Sequence, residues 1–182
     1  MRVITGTARG TNLKAPAGLS TRPTGDKVKQ ALFNIIQHEI AGDVLDLFAG
    51  SGQLGIEALS RGAGSAVFVD RGRDAIAVIR DNLKRTHFEE RSQVICSDYL
   101  SYLSQCRKSF RLIFLDPPYG ENYLENALKC ISEIDILAEG GIIVTERPLG
   151  KELACSFSGL TPSKDYQYGK TVITLFRRES TE

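Results

Sequence analysis

The sequence predicts an α/β fold built on a mostly parallel β-sheet with helices on both faces, and three observations predict it. Apolar runs recur at 44–48, 66–70, 93–96, 111–115 and 141–146, too continuous for strands exposed on one face. Helix-patterned stretches at 53–61, 73–85, 98–105 and 122–133 fill the intervals between them. Strands buried on both faces and alternating with helices belong to parallel sheets with right-handed crossovers. The third observation is the tail from Lys164 to Glu179, which reads as a strand, a break at Gly169 and a final strand. Such a pair predicts an antiparallel addition at one edge of the sheet.

Ahead of the first parallel strand, residues 2–15 read as two short strands around Ala8-Arg9-Gly10, a β-hairpin with Gly10 at the turn. The segment Ser20–Asp26 breaks the chain. Val28, Ala31, Leu32, Ile35, Ile36 and Ile40 then recur at helical spacing and predict an amphipathic helix over 26–39. The division expected is an N-terminal basic hairpin or arm over 1–23 and an α/β domain over 24–182.

The 182 residues suffice for one domain with a full core. No apolar run approaches the roughly eighteen residues of a membrane span, and the first residues lack the apolar core of a signal peptide. Cys96, Cys106, Cys130 and Cys155 show no C-x-x-C spacing, so neither a metal site nor a disulfide framework is expected. A reducing cytoplasm and a monomer fit this pattern. Charge is unevenly spread. Residues 1–30 carry Arg2, Arg9, Lys14, Arg22, Lys27 and Lys29 against Asp26 alone, so the remainder is acidic in a chain of net charge +1. A basic arm on an acidic body points to a polyanionic partner, through Arg2, Arg9, Lys14, Arg22 and Lys27; a solvated tail has the same composition.

Between the first parallel strand and its helix lies Gly50-x-Gly52-x-x-Gly55, the spacing of a dinucleotide-binding turn. Asp70 ends the second strand twenty residues after Gly50, where a carboxylate accepts from two ribose hydroxyls. An adenosine-containing cofactor follows. Asp46, just before the glycines, decides between two kinds. A fixed negative charge there repels a pyrophosphate and attracts an ammonium or a sulfonium. S-adenosylmethionine carries both cations and no phosphate. Asp98, after the third strand, accepts from an adenine amino group or caps the helix that follows.

The fourth strand ends in Asp116-Pro117-Pro118-Tyr119. Prolines stop the ladder and leave their carbonyls free to accept. The exocyclic nitrogen of a nucleobase is a poor nucleophile because its lone pair is delocalised into the ring. A carboxylate (Asp116) and a carbonyl (Pro117) that hold its two hydrogens localise that pair, and Tyr119 stacks on the base. Holding the reactants together supplies much of the rate, up to roughly 7–11 kcal/mol in favourable cases.

The chain resembles the RsmD family, in order along nearly its whole length: RVITGTARGTNLKAP, RPTGDKVKQALFNI, VLDLFAGSGQLGIEALSRGA, FVD, LIFLDPPY and YGKTVITLF. That resemblance implies a Rossmann-like class I S-adenosylmethionine-dependent methyltransferase fold, with seven strands, a final antiparallel pair and a protruding N-terminal hairpin. It implies methylation of the N2 amino group of a guanine in 16S ribosomal RNA, either free or within a small-subunit assembly particle. The cofactor contacts expected are Asp46, Phe48, Ala49, Gly50, Ser51, Gly52, Asp70, Arg71, Asp98 and Tyr99. The catalytic element is Asp116, Pro117, Pro118 and Tyr119. Gln53, where a small residue is common, and Arg71-Gly72 depart from the family pattern. A DNA amino-methyltransferase acting on adenine N6 or cytosine N4 would use the same D-P-P-Y element, but no target-recognition domain is evident. An NAD-dependent oxidoreductase lacks a substrate domain here, and an intact acidic set argues against a non-catalytic RNA-binding protein.

Overall fold

The structure, a computed structural model, describes residues 1–16, 26–118, 122–153 and 157–178. Its sheet is organised by strands whose alternate residues feed two cores. Val44, Phe114, Ile142 and Ile173 point into one and Leu45, Ile113, Ile143 and Phe176 into the other. The elements are α1 (Asp26–Ile35), β1 (Asp43–Asp46), α2 (Gln53–Ser60), β2 (Ser65–Asp70), α3 (Arg73–Thr86), β3 (Ser92–Cys96), α4 (Tyr99–Gln105), β4 (Phe110–Leu115), α5 (Tyr123–Ile134), β5 (Leu137–Pro148), β6 (Leu160–Tyr168) and β7 (Thr171–Arg178). One 3₁₀ turn, Glu89–Arg91, precedes β3. The first core is closed by α1, α2 and α3, the second by α4 and α5. No helix among the described residues is long and apolar enough to cross a membrane.

The seven strands form one sheet in the order β3-β2-β1-β4-β5-β7-β6. Strands β1 to β5 pair in parallel, and β7 is antiparallel to both β5 and β6. The reversed strand β7 therefore lies inside the terminal pair and β6 takes the edge. This is a Rossmann-like class I fold. Chain direction across the sheet reverses its order between β1 and β4, so a crevice opens outside their carboxyl ends. The helix expected over 26–39 stops at Ile35. Beyond it the chain turns and brings Glu39 to Arg177 at 2.6 Å and Arg111 at 3.4 Å.

The N-terminal segment corrects one expectation. The expected hairpin is present in short form, with the Arg2–Asn12 bridge and backbone hydrogen bonds from Val3 to Thr11, Gly10 to Val3 and Leu13 to Met1 at 2.9–3.0 Å, but it does not protrude. Val3, Ala8 and Leu13 are buried in the first core. Glu57 of α2 accepts the Ile4 and Thr5 N–H groups at 2.8 and 3.0 Å. Ser60 accepts from Thr7 and Ala8, and Asn82 of α3 exchanges two hydrogen bonds with the Lys14 backbone. Lys29 of α1 donates to the Arg2 carbonyl at 2.6 Å and lies 3.5 Å from Glu57, both side chains 0% exposed. Burial is the largest influence on Lys29 and lowers its pKa, while the Glu57 charge opposes that. Edge hydrogen bonds that a longer hairpin would exchange internally are given instead to the helices beneath. The boundary expected at residue 23 lies outside the described residues.

Candidate functional site

Four strands bring carboxylates to the carboxyl edge of the sheet. Asp46 ends β1, Asp70 ends β2, Asp116 follows β4, and Glu146 lies near the end of β5. Asp46 sits opposite Phe114, and Leu115 opposite Thr145, so one step further Asp116 is beside Glu146. Residues directly opposite share a face of the sheet. Asp46, Asp116 and Glu146 thus gather on the side covered by α1 and α2. Leu32, Leu54, Phe114, Asp116, Glu146 and Ile173 line a small cavity there.

The electrostatics follow from that crowding. Asp46 is 2% exposed. Burial pushes its pKa up to about 7; the Gly55 N–H, donating to Oδ2 at 3.0 Å, opposes this, and the Asp70 charge adds to it. Burial also raises Asp116 well above the usual carboxylate range, reinforced by the charges of Glu146 and then Asp46. Acids packed this way favour a cation brought among them.

The glycine loop is held by acids and packing together. Gly50 and Gly52 have φ of 55° and 76°, in the left-handed region. Asp70 accepts the Gly50 N–H with Oδ2 and the Gly72 N–H with Oδ1, both at 2.8 Å. The third glycine, Gly55, lies where a methyl group would overlap the Phe68 ring, so it lets α2 settle directly on β2. Ser51 is buried and its carbonyl accepts from Asn82 Nδ2 at 2.9 Å. Ala49 is buried and donates to the Val69 carbonyl. Nothing lies within 4 Å of a Cβ placed at Gly50, which leaves the outer side of the loop open.

An aromatic wall borders the loop. The rings of Phe48 and Tyr99 are 5.0 Å apart, and Tyr123 meets Tyr99 edge-on at 5.7 Å. The Arg71 guanidinium lies 5.9 Å above the Tyr123 ring. Asp98 is exposed and caps α4, accepting from Leu100 at 2.9 Å and Ser101 at 3.3 Å with Oδ1. That leaves its other oxygen for a ligand. Pro117 is buried beside Asp116 and Pro118 is exposed. Tyr119 lies outside the described residues, as does Arg22.

The basic residues are spread rather than gathered. Arg2 pairs with Asp26 at 3.7 Å and Lys14 with Asp81 at 2.8 Å. Arg9 and Lys27 are exposed. Glu146, Tyr123 and Asn82 were not singled out by sequence reasoning. For Glu146 a signal existed: it is an acid at the end of an apolar parallel strand, as Asp46, Asp70 and Asp116 are.

These residues fit a cationic, adenosine-bearing ligand. Asp46 Oδ2 accepts from the neutral Gly55 N–H, which leaves a negative charge there to be matched by a cation. Gln53, the first residue of α2, has a buried Oε1 with no hydrogen-bond partner among the described residues. An ammonium or a sulfonium brought to Asp46 supplies the opposite charge.

The family model described as Conserved hypothetical protein 95 matches residues 1–177. YlbH of Bacillus subtilis (strain 168) is 44% identical over 182 residues, covering 98% of this chain and 99% of its own. The Ribosomal RNA small subunit methyltransferase D of Escherichia coli (strain K12) is 31% identical over 181 residues, covering 99% of this chain and 91% of its own. Among solved structures, yhhF from Escherichia coli superposes with a TM-score of 0.88 at 32% identity, over 100% of this chain and 99% of that one.

Proposed function

The chain belongs to the RsmD family, and on that premise we propose that it transfers a methyl group from S-adenosylmethionine to the N2 amino group of a guanine in small-subunit ribosomal RNA. The observation that carries this reading is the cluster of Asp46, Asp116 and Glu146 beside an open glycine loop. Two of its members are held above the ordinary carboxylate range.

Asp46, the Gly50–Gly52 loop, Asp70 and the Phe48–Tyr99 wall hold the methyl donor, which supplies an electrophilic methyl group on a positively charged sulfur. Asp70 fixes the loop and offers its oxygens to the ribose. The remaining oxygen of Asp98 serves the adenine. Asp116 Oδ and the Pro117 carbonyl accept the two amino hydrogens of the guanine. They draw its lone pair out of the ring and keep the nitrogen aimed. Tyr119 stacks on the base. Once methylated, the nitrogen is strongly acidic and releases a proton to Asp116 or to water. Burial, reinforced by the Glu146 and Asp46 charges, favours the protonated form of Asp116; a cation brought among these acids favours the ionised, accepting form. The similarity to the Escherichia coli Ribosomal RNA small subunit methyltransferase D supports ribosomal RNA as the substrate.

The test is incubation with methyl-labelled S-adenosylmethionine and purified small subunits, naked 16S RNA or duplex DNA, followed by nucleoside mass spectrometry. N2-methylguanosine from an RNA arm is expected. Label only as N6-methyladenine or N4-methylcytosine from DNA would replace this reading with the DNA one.

A further inference from the structure

We infer that the partly exposed face of β6 that carries Lys164, Tyr166 and Tyr168 is a second docking track for single-stranded RNA that flanks the reacting guanine. The inference rests on the reading of the site as an RNA methyltransferase and deepens it.

The register carries the argument. Glu146 on β5 lies opposite Ile173 on β7, and Ile173 lies opposite Tyr166 on β6. Ile173 lines the same cavity as Asp116 and Glu146. A straight row of side chains on one sheet face therefore runs from the proposed catalytic acid to the sheet edge. Strands are spaced by about 4.8 Å, so Tyr166 stands on the order of 10 Å from Glu146. That reach suits a neighbouring nucleotide and is too far for the target base.

The chemistry of the strand fits nucleic acid. Lys164, Tyr166 and Tyr168 alternate and so share a face. The two tyrosines are half-buried, closing the first core with part of each side chain and leaving part open. Lys164 Nζ lies 5.3 Å from the Tyr166 ring centroid. An aromatic face beside a cation is what sequence-tolerant RNA contacts use: the base stacks and the phosphate pairs. The sole acid of β6, Asp165, does not oppose this. It points to the other face, held by Arg147 at 2.5 Å and by Thr174 at 2.6 Å. Lys170, exposed in the turn after Tyr168, extends the positive side.

A protein strand is a poorer occupant of this edge. Pro162 removes a donor from β6, and the register shifts between Pro162 and Asp165. Proline, a bulge and a lysine are the devices that discourage strand pairing.

The test uses the full chain with two RNAs: a guanine-bearing stem-loop with single-stranded flanks, and the same stem-loop with the flanks removed. Tyr166→Leu keeps the apolar cover and removes the stacking face; Lys164→Ala removes the charge and Lys164→Glu reverses it. Each variant is first checked for wild-type melting and S-adenosylmethionine affinity. Tyr166→Leu is expected to weaken binding of the flanked RNA roughly tenfold and leave the trimmed RNA unchanged. Lys164→Ala is expected to lower the salt slope of the flanked RNA by about one. Variants that bind flanked RNA as tightly as wild type, while wild type methylates it, would overturn the track and leave the methyltransferase reading standing. A wild-type protein that neither binds nor methylates either RNA would overturn both. Sedimentation as a dimer that Lys164→Glu dissociates, with RNA affinity unchanged, would assign the face to a second copy and overturn the track.

Discussion

The Asp70 carboxylate accepts the Gly50 N–H at 2.8 Å, tying the end of β2 to the turn that follows β1. Its other oxygen holds the Gly72 N–H at the start of α3. One acid thus shapes the loop and the next helix before any ligand arrives. Asp70→Ala leaves two amide donors without their charged acceptor and should cost about 2 kcal/mol of stability. It should also weaken binding of S-adenosylmethionine and S-adenosylhomocysteine alike, because the adenosine is common to both. Denaturant midpoints and calorimetry measure the two effects; an unchanged midpoint would show that the loop holds itself.

Asp46 gives stability a pH dependence of defined sign. In the unfolded chain it titrates near the usual carboxylate value of 3.8 and in the folded protein at about 7. Between those values the folded state binds the extra proton, so its contribution to stability falls as pH rises and levels off above about 7. The gap corresponds to a loss on the order of 4 kcal/mol. Asp46→Asn should remove that loss, making the ligand-free variant more stable than wild type at pH 8 and similar to it at pH 4. Thermal melts across pH measure this, and parallel curves for the two proteins would contradict it.

The buried pair of Lys29 and Glu57 staples the N-terminal segment to α1 and α2. Lys29→Met strands the Glu57 charge with Arg61 and the Ile4 and Thr5 amides as its remaining partners. Removing one member of a buried pair costs about 3–5 kcal/mol. The Lys29→Met, Glu57→Gln double variant should cost less than the sum of the two singles, which a double-mutant cycle on unfolding free energies measures.

Gly6 is the point of closest approach of that segment. It has φ 88°, and a Cβ there would overlap the Ser60 carbonyl. Gly6→Ala should lift residues 4–8 from α2 and raise amide exchange of Ile4, Thr5, Thr7 and Ala8 at least tenfold, with the sheet amides protected as before. Hydrogen exchange read by residue measures this.

Much of the fold was legible because its signals are local. The parallel strands read as 44–48 and 66–70 appear at Asp43–Asp46 and Ser65–Asp70, and the helix read as 73–85 at Arg73–Thr86. Runs such as Val44-Leu45 and Val67-Phe68-Val69 are apolar on both faces, which only a covered parallel strand requires. The loop acids were legible for the same reason: each ends its own strand. The docked N-terminal segment was hidden. Glu57 looks like an ordinary helix surface acid, and nothing near it in sequence says that the Ile4 and Thr5 amides, more than fifty residues away, will claim it. Lys29 likewise reads as part of a basic arm and is instead fully buried. Lys14 and Arg2 pair on the surface with Asp81 and Asp26, contacts that no local pattern in the sequence announces. Tyr123 was hidden because its role depends on α5 returning beside α4, a tertiary contact without a periodic signature.

The central claim is that a crowded set of acids binds the donor through its positive sulfur. The most direct measurement is calorimetric affinity for S-adenosylmethionine and S-adenosylhomocysteine on the same protein between pH 6 and 8.5. The two ligands share adenosine, amino and carboxyl groups and differ in the methyl and the sulfonium charge. The account predicts that their affinity ratio shifts toward S-adenosylmethionine as pH rises through about 7, where Asp46 ionises, and that Asp46→Asn flattens the shift. A ratio that stays constant with pH in the wild-type protein would contradict it.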